Sequence, residues 1–149
     1  MKKGIKIISL NKKAGHEYFL YDTYEAGLAL LGTEIKSLRT HGCTIKDAYV
    51  LIKNNEAILF NLLIPVYEQG NRFNHQPDRT KKLLLHKKEI FKMDKVVRQD
   101  GYALIPTKIY LRDGKAKIEI AVGKGKELHD KRESERIKDI ERENRRYKI

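Results

Sequence analysis

Five histidines are the side chains of this sequence best suited to proton transfer near neutral pH. They are His16, His41, His75, His86 and His129. His75 lies in a predicted loop with the carboxylate Asp78 three residues after it. General acid–base catalysis needs such groups held together in a pocket that shifts their pKa values. A small nuclease or RNA-modifying enzyme that uses His75, Asp78 and His86 is one alternative, but this scattered spacing does not by itself indicate an enzyme.

The other motifs do not indicate a metal or nucleotide site. Cys43 is the one cysteine, so no intrachain disulfide or cysteine-based metal cluster is predicted. The sequence has no H-E-x-x-H motif and no G-x-x-x-x-G-K-[ST] loop. The run GKGK at 123–126 follows a predicted strand, but it lacks the spacing and the Ser or Thr of a phosphate-binding loop. We therefore predict no catalytic residue, no metal and no cofactor.

The stretch GNRFNHQPDRTKKLLLHKKE, residues 70–89, is rich in side chains that suit RNA. Arg and Lys neutralise phosphates, Asn hydrogen-bonds sugars or base edges, and Phe73 and His75 are able to stack on exposed bases. A solvated helix face explains the later lysines, but not the aromatic and asparagine residues of the loop. The candidate contacts are Asn71, Arg72, Phe73, Asn74, His75, Arg79, Lys81, Lys82, Lys87 and Lys88, whereas His86 is expected to be a core or boundary histidine.

Hydrophobic periodicity predicts the elements that position these residues. A helix is expected from Lys82 to about Val97, with His86 on its apolar stripe. A second, short helix is expected after Thr33 as N-cap. Residues 17–31 predict a bent strand with a bulge at Gly27. Further strands are expected over 44–52, 57–64, 102–112 and 115–123, the last two joined by a turn at Asp113-Gly114.

These elements predict a mainly β body with flanking helices, an α+β fold. Short antiparallel strands with a helix between strand pairs favour a small OB-like barrel over residues 1–123, in which 1–13 form a flexible basic arm. Residues 124–149 form a basic tail that we expect to be disordered when free and helical on a partner. The longest apolar run, 57–66, is too short to span a bilayer, and no secretory signal is evident, which predicts a cytoplasmic protein.

The charge balance favours a polyanionic partner. The sequence holds 32 Lys and Arg against 20 Asp and Glu, a formal net charge of +12. Each phosphate that a basic side chain neutralises releases counterions, which favours binding to nucleic acid. Ordinary solubility is the alternative explanation. RNA is favoured over duplex DNA, because no recognition-helix pattern is evident.

Several long strings resemble the family of the SsrA-binding protein, also called small protein B. They are NKKAGHEYFLYDTYEAGLALLGTEIKSLRTHG, NLLIPVYEQGN, NHQPDRTKKLLLHKKEI and IPTKIYLRDGKAKIEIAVGKGKELHDKRE, followed by the basic tail. The similarity runs in order from about Ile5 to the end of the sequence. The sequence departs from the family pattern at His129, where the family usually has an aromatic residue before Asp-Lys-Arg, and in a tail that is expected to end early, at Tyr147-Lys148-Ile149.

This resemblance implies a role in trans-translation. The body is expected to bind the tRNA-like domain of transfer-messenger RNA (SsrA RNA) near its elbow and to deliver that RNA to stalled ribosomes. The ribosome is then rescued and the nascent peptide is tagged for degradation. The tail is expected to enter the empty mRNA channel beside the small-subunit decoding centre. The protein would act as a monomer and without a membrane; the rival is a generic structural or ribosomal RNA-binding protein.

The resemblance also implies three groups of functional residues. Asn11, Lys12, Glu34, Lys36 and Arg39 would contribute to the contact with the tRNA-like domain. Glu34 would accept a hydrogen bond from a base or ribose hydroxyl, or orient a neighbouring Lys or Arg, unless it is an ordinary first-turn glutamate. The second group is 71–87, with His75 and His86 as contacts or supports. The third is the hinge and tail, Gly123, Lys124, Gly125, Lys126, Asp130, Lys131 and Arg132, and His16 is a further candidate for the decoding centre.

Overall fold

The computed structural model describes residues 4–67 and 74–125. These residues form seven strands in a single sheet, with three helices. The strands are β1 (Ile5–Leu10), β2 (Tyr18–Leu28), β3 (Tyr49–Lys53), β4 (Glu56–Phe60), β5 (Lys81–Leu84), β6 (Ala103–Arg112) and β7 (Lys115–Gly125). The helices are α1 (Ala14–Glu17), α2 (Gly32–His41) and α3 (Lys87–Asp100).

All neighbouring strands of the sheet are antiparallel, in the order β1-β6-β7-β2-β5-β4-β3. The β6–β7 hairpin turns at Asp113 and Gly114, whose φ angles of 53° and 82° are both positive. This geometry suits the Asp-Gly pair of a tight hairpin turn, and it confirms the turn predicted there. Along β7, Ala116, Ile118, Ile120 and Val122 are buried, as the alternation predicted.

The sheet does not close into the OB-like barrel that the sequence suggested. Strands β1 and β3 are its two edges. Strand β3 comes close to β6 without joining it. One edge of β6 is paired with β7, β1 occupies the other edge from Lys108 to Arg112, and no ladder joins β3 to the remainder of that edge. The antiparallel sheet with flanking helices is confirmed, but the closed barrel is wrong.

The N-terminal prediction also needs correction. Ile5–Leu10 do not form a flexible arm; they form β1, which pairs with β6 from Ile5 opposite Arg112 to Leu10 opposite Lys108. At the other end, β7 continues to Gly125, two residues beyond the body boundary predicted at 123. The rest of the predicted tail, 126–149, lies outside the described residues, so its behaviour stays a prediction.

The predicted helix from Lys82 begins too early. Lys81–Leu84 form β5, which pairs with β2 and β4 on its two sides, and α3 begins only at Lys87. Leu and Lys are good helix formers, but pairing on both sides outweighs this local preference. His86 is consequently the exposed N-cap residue of α3, not a member of its buried stripe.

Smaller differences concern the ends of other elements. Helix α2 begins at Gly32 with Leu31 as N-cap, because the Glu34 carboxylate accepts a hydrogen bond from the Leu31 N–H at 2.7 Å. The irregularity in β2 lies between Leu20 and Thr23, not at Gly27. The two strands predicted over 44–52 and 57–64 are shorter, as β3 and β4.

The core is built from the buried faces of the strands together with one stripe each of α2 and α3. Leu38 of α2 and Met93 of α3 are almost fully buried against strand residues such as Ile109 and Ile118. Burial of each such side chain stabilises the fold by about 1.5–3 kcal/mol. These contacts fix both helices on the sheet and so determine which of their charged residues face solvent.

Candidate RNA-binding surface

A buried ion cluster joins α2 to the segment that leads into β5. The Glu34 carboxylate has no exposed surface and accepts hydrogen bonds from Arg79 Nε at 2.9 Å and Nη2 at 2.6 Å. The fully buried Lys81 Nζ lies 3.8 Å from the same carboxylate. Lys81 also donates to the carbonyl oxygens of Leu62, at 3.2 Å, and Arg79. One carboxylate thus faces two cations inside the protein.

The cluster shifts the pKa values of its members. Burial alone would raise the pKa of Glu34, but hydrogen bonds from Arg79 and from the Leu31 N–H, with the charges of Arg79 and Lys81, outweigh burial and lower that pKa. Burial lowers the pKa of Lys81, although the charge of Glu34 opposes this. The lowered pKa keeps the carboxylate ionised at neutral pH, where it is the ion-pair partner of the fully buried Lys81.

This arrangement decides which predicted contacts are within reach of an RNA. Glu34 and Lys81 are buried and fully engaged, so the prediction that Lys81 contacts RNA phosphate is contradicted by its burial. Glu34 takes the second role predicted for it, orienting an arginine. The side chain of Arg79 is 33% exposed, and its Nη2 also donates to the Ala29 carbonyl at 3.1 Å. Arg79 presents only its outer edge to solvent.

His75 is a structural residue in this fold. It is 6% exposed, with Nε2 2.9 Å from the Ile64 carbonyl oxygen and Nδ1 2.8 Å from Thr33 Oγ1. A neutral ring that donates through Nε2 accepts the Thr33 hydroxyl through Nδ1. Both ring nitrogens are used in this way, so His75 neither stacks on a base nor forms a proton-transfer pair with the exposed Asp78.

Asn74 closes the base of the loop that precedes it. Its Oδ1 accepts the Tyr67 N–H at 2.9 Å, and its Nδ2 donates to the Tyr67 carbonyl. Ser37 Oγ of α2 donates to the Pro65 carbonyl at 2.5 Å, and Lys36 Nζ lies 6.0 Å from the centre of the Tyr67 ring. Together with the Thr33–His75 hydrogen bond, these contacts attach helix α2 to the chain on both sides of residues 68–73. Asn71 and Arg72, predicted contacts in that segment, lie outside the described residues.

A groove of about 730 Å³ brings together the remaining basic residues of the second group. It lies between β2, β5, the β3–β4 turn and the start of α3, and Lys82, His86 and Lys87 all line it. The same groove adds two residues that the sequence reasoning missed, Leu84, which is 54% exposed, and Lys117. The alternation of buried and exposed residues along β5 and β7 indicates that Leu84 and Lys117 lie on the outer face of the sheet. Their place in the groove follows only when β5 and β7 are known to flank β2.

Acidic residues also line this groove, but each has a partner within the protein. Glu25 accepts hydrogen bonds from the Tyr110 hydroxyl and from Arg112 Nε at 3.0 Å, which lower its pKa against the effect of burial. Glu56 lies 3.2 Å from Lys82 Nζ, and Glu89 accepts the His86 N–H at 3.1 Å. The groove also contains the N-terminal end of α3, where the helix dipole favours an anion.

The N-terminal group of predicted contacts does not form one face. Asn11 Nδ2 donates to the Pro106 carbonyl in the middle of β6 at 2.9 Å, whereas Arg39 Nη2 donates to the Gly114 carbonyl in the β6–β7 turn at 3.1 Å. At about 3.3 Å per residue, these two points are roughly 25 Å apart along the hairpin. Lys12 and His16 are exposed beside Asn11, and Lys36 is exposed on α2.

The start of the predicted hinge is firmly packed. A Cβ added to Gly123 would lie 2.9 Å from Ile105 Cγ1, so the strands pack too closely there for any side chain. Lys124 and Gly125 are exposed, and Lys124 Nζ lies 5.6 Å from the centre of the Tyr102 ring. Lys126, Asp130, Lys131 and Arg132 fall beyond the described part of the chain.

Among residues 4–67 and 74–125, no group of three or more His, Cys, Asp or Glu side chains is placed to hold a metal ion. No helix in the same part of the chain is long and apolar enough to cross a membrane.

Comparison with known proteins identifies the family. The family model described as SmpB protein matches residues 8–148. The chain belongs to the SmpB protein family. This membership confirms the resemblance found in the sequence strings.

Relatives of the SmpB family match nearly the whole chain. The SsrA-binding protein of Bacillus cereus (strain ATCC 10987 / NRS 248) is 53% identical over 144 residues, covering 96% of this chain and 93% of the relative. That of Bacillus pumilus is 51% identical over 138 residues, covering 93% and 88%. A solved structure described as "tmRNA-SmpB: a journey to the center of the bacterial ribosome" holds a similar chain, with a TM-score of 0.67, 40% identity, and coverage of 81% of this chain and 85% of that one.

Proposed function

We propose that this protein binds transfer-messenger RNA through its tRNA-like domain and delivers it to stalled ribosomes for trans-translation. The ribosome is rescued and the incomplete peptide is tagged. The observation that carries this proposal is the SmpB family match over residues 8–148. Relatives named SsrA-binding protein and a neighbour solved with transfer-messenger RNA support the same partner. Work on the bacterial ribosome implies the cytoplasm, and a role as an RNA adaptor requires no bond chemistry from the protein.

The groove beside β5 is the surface that we assign to the tRNA-like domain. It combines Lys82, His86, Lys87 and Lys117 with the exposed Leu84. Basic side chains neutralise phosphates, and an exposed apolar side chain packs against a base or sugar. Its acidic residues are already paired within the protein, which limits their repulsion of the RNA backbone. The buried cluster around Glu34 supports this site by holding α2 and the segment before β5 in place.

The tail and the His16 region are assigned to the ribosome on the family resemblance. Residues 124–149 carry closely mixed basic and acidic side chains, which suits a segment that must stay soluble before it follows ribosomal RNA. In this proposal the tail occupies the empty mRNA channel near the decoding centre. Lys126, Asp130, Lys131 and Arg132 belong to that segment.

The first experiment is a titration of the protein with the tRNA-like domain and with an ordinary elongator tRNA, at near-physiological salt. Strong preference for the tRNA-like domain is expected. Equal and steeply salt-dependent affinity for both RNAs would instead indicate a generic basic RNA-binding surface and would refute the proposal.

The groove is tested with matched lysine variants. Lys82→Ala should weaken binding and make the dependence of log affinity on log salt shallower by about one phosphate contact. Lys92→Ala removes the same charge from an exposed site on α3 that does not line the groove, so it should change neither quantity. If both variants weaken binding equally, the RNA lies elsewhere.

A further inference from the structure

An exposed aromatic pair lies on the outer face of the β3–β4 hairpin. The rings of Tyr49 and Phe60 are stacked, with centres 5.1 Å apart and planes 9° from parallel. Tyr49 is 41% exposed, and Leu51 beside it is 43% exposed. Lys53 Nζ lies 5.6 Å from the centre of the Phe60 ring. We call Tyr49, Phe60 and Lys53 the aromatic platform.

The platform and the groove share one face of the sheet. Tyr49 is opposite Phe60, Leu51 is opposite Ile58, and Ile58 is opposite Lys82 of the groove. Because side chains alternate across a strand, these residues all point away from the core. At about 4.8 Å between strands and 3.3 Å per residue, the platform begins roughly 10 Å from Lys82. An RNA strand that occupies the groove needs only a short extension to reach it.

The surroundings of the platform suit a nucleobase with its phosphates. Lys53 is part of the platform, and Lys46 and Lys13 line a second cleft that also includes Tyr49. The acidic residues nearby are Glu56, which is paired with Lys82, and Asp47 and Glu17, which line the same cleft as the two lysines. An aromatic ring flanked by lysines is the arrangement that single-stranded nucleic acid uses, since every base has a face to stack and a phosphate on each side.

We propose that the aromatic platform receives an unpaired nucleobase of the transfer-messenger RNA that fills the groove, stacked on the exposed ring of Tyr49. This rests on the proposed function, because the occupant is the same RNA. The alternative explanation is that the aromatic pair only stabilises the hairpin as a cross-strand contact. That role predicts an effect on folding and none on RNA affinity, so the two explanations are separable.

A tryptophan reporter tests the stacking directly, since the protein has none. Tyr49→Trp places an indole on the platform, and Phe91→Trp places one on α3 at a site that is 69% exposed. On titration with the tRNA-like domain, the emission of Tyr49→Trp should be quenched, because a stacked base quenches indole fluorescence, and that of Phe91→Trp should not. Equal changes in the emission of the two variants would overturn the proposal that a base stacks on the platform.

Loss of the ring provides the second measurement. Tyr49→Leu keeps an apolar side chain on the strand but cannot stack, and Phe91→Leu is the matched change elsewhere. Stacking contributions correspond to about 5- to 150-fold in affinity, so Tyr49→Leu should weaken binding at least fivefold with an unchanged salt slope. Circular dichroism and thermal unfolding establish that each variant is folded.

The outcomes separate failure of the platform from failure of the function. If Tyr49→Leu binds like the wild type while Lys82→Ala binds more weakly, the platform is overturned and the groove stands. If the wild type shows no preference for the tRNA-like domain, both proposals are overturned together.

Discussion

Replacing Glu34 with glutamine tests the energetic role of the buried ion cluster. The substitution keeps the size and shape of the side chain but removes the one negative charge that faces Arg79 and Lys81. Removing one partner of a buried ion pair costs about 3–5 kcal/mol, because the remaining charge is left without compensation. Arg79 is a third exposed and is partly stabilised by water, so we expect the lower end, about 3 kcal/mol.

The effect is large enough to measure by urea unfolding. For a small protein with a urea slope of about 1–3 kcal/mol per molar, a loss of about 3 kcal/mol lowers the midpoint by about 1–3 M. Glu56→Gln is the matched control, because its partner Lys82 is on the surface and both side chains are about half exposed. Such surface pairs contribute about 0–1 kcal/mol. Equal effects of the two substitutions would refute the reasoning.

The pH dependence of the same variant gives an independent check. The folded-state pKa of Glu34 is lowered, so its contribution to stability is fully present above the unfolded-state pKa of about 4.3 and is lost as the pH falls through the folded-state value. Glutamine does not titrate. The difference in unfolding free energy between wild type and Glu34→Gln should therefore shrink on acidification below about pH 4. A difference that stays constant to pH 3 would show that charge is not its cause.

Three further predictions follow from other contacts. Gly123→Ala should lower the melting temperature, with a cost of about 1–3 kcal/mol, because its Cβ would overlap Ile105; Gly125→Ala, which meets no atom within 4 Å, should not. Burial and a neighbouring carboxylate raise the pKa of Tyr110 to about 12, so the unfolding free energy should fall between about pH 10 and 12 in the wild type and less in Tyr110→Phe. Deleting residues 131–149 should leave the melting temperature and the affinity for the tRNA-like domain unchanged while abolishing peptide tagging in a reconstituted rescue assay; a melted body would show that the boundary was misplaced.

Local signals predicted the parts of the fold that depend on neighbouring residues. The Asp113-Gly114 turn and the alternation of buried and exposed residues along β7 were both predicted, because turn chemistry and side-chain period depend on consecutive residues. Strand β5 was not recognised, since its stability comes from two neighbouring strands that the sequence does not show. The open sheet was not predicted either, because closure depends on whether β3 pairs with β6, two strands that are far apart in the sequence.

The candidate site shows the same division between local and distant causes. The density of basic residues in the stretch 70–89 predicted an RNA contact, and Lys82 and Lys87 of that stretch line the groove, where their contact with RNA stays a prediction. It did not distinguish Lys82 from Lys81, which is buried because its partner Glu34 comes from α2, far away in sequence. Likewise the ring of His75 resembled a stacking group until the carbonyl of Ile64 and the hydroxyl of Thr33 were seen to use both of its nitrogens.

Because the Asn74 amide is hydrogen-bonded to Tyr67, we expect the protein to tolerate insertions between residues 67 and 74. Its two hydrogen bonds to the backbone of Tyr67 join the ends of that segment as a rung of a sheet ladder would. Loop closure between fixed ends becomes only about 0.6 kcal/mol harder each time the length doubles. Residues can therefore be added or exchanged there while the body keeps its stability. A peptide tag or a fluorophore attached at this point is expected to leave the melting temperature of the body unchanged.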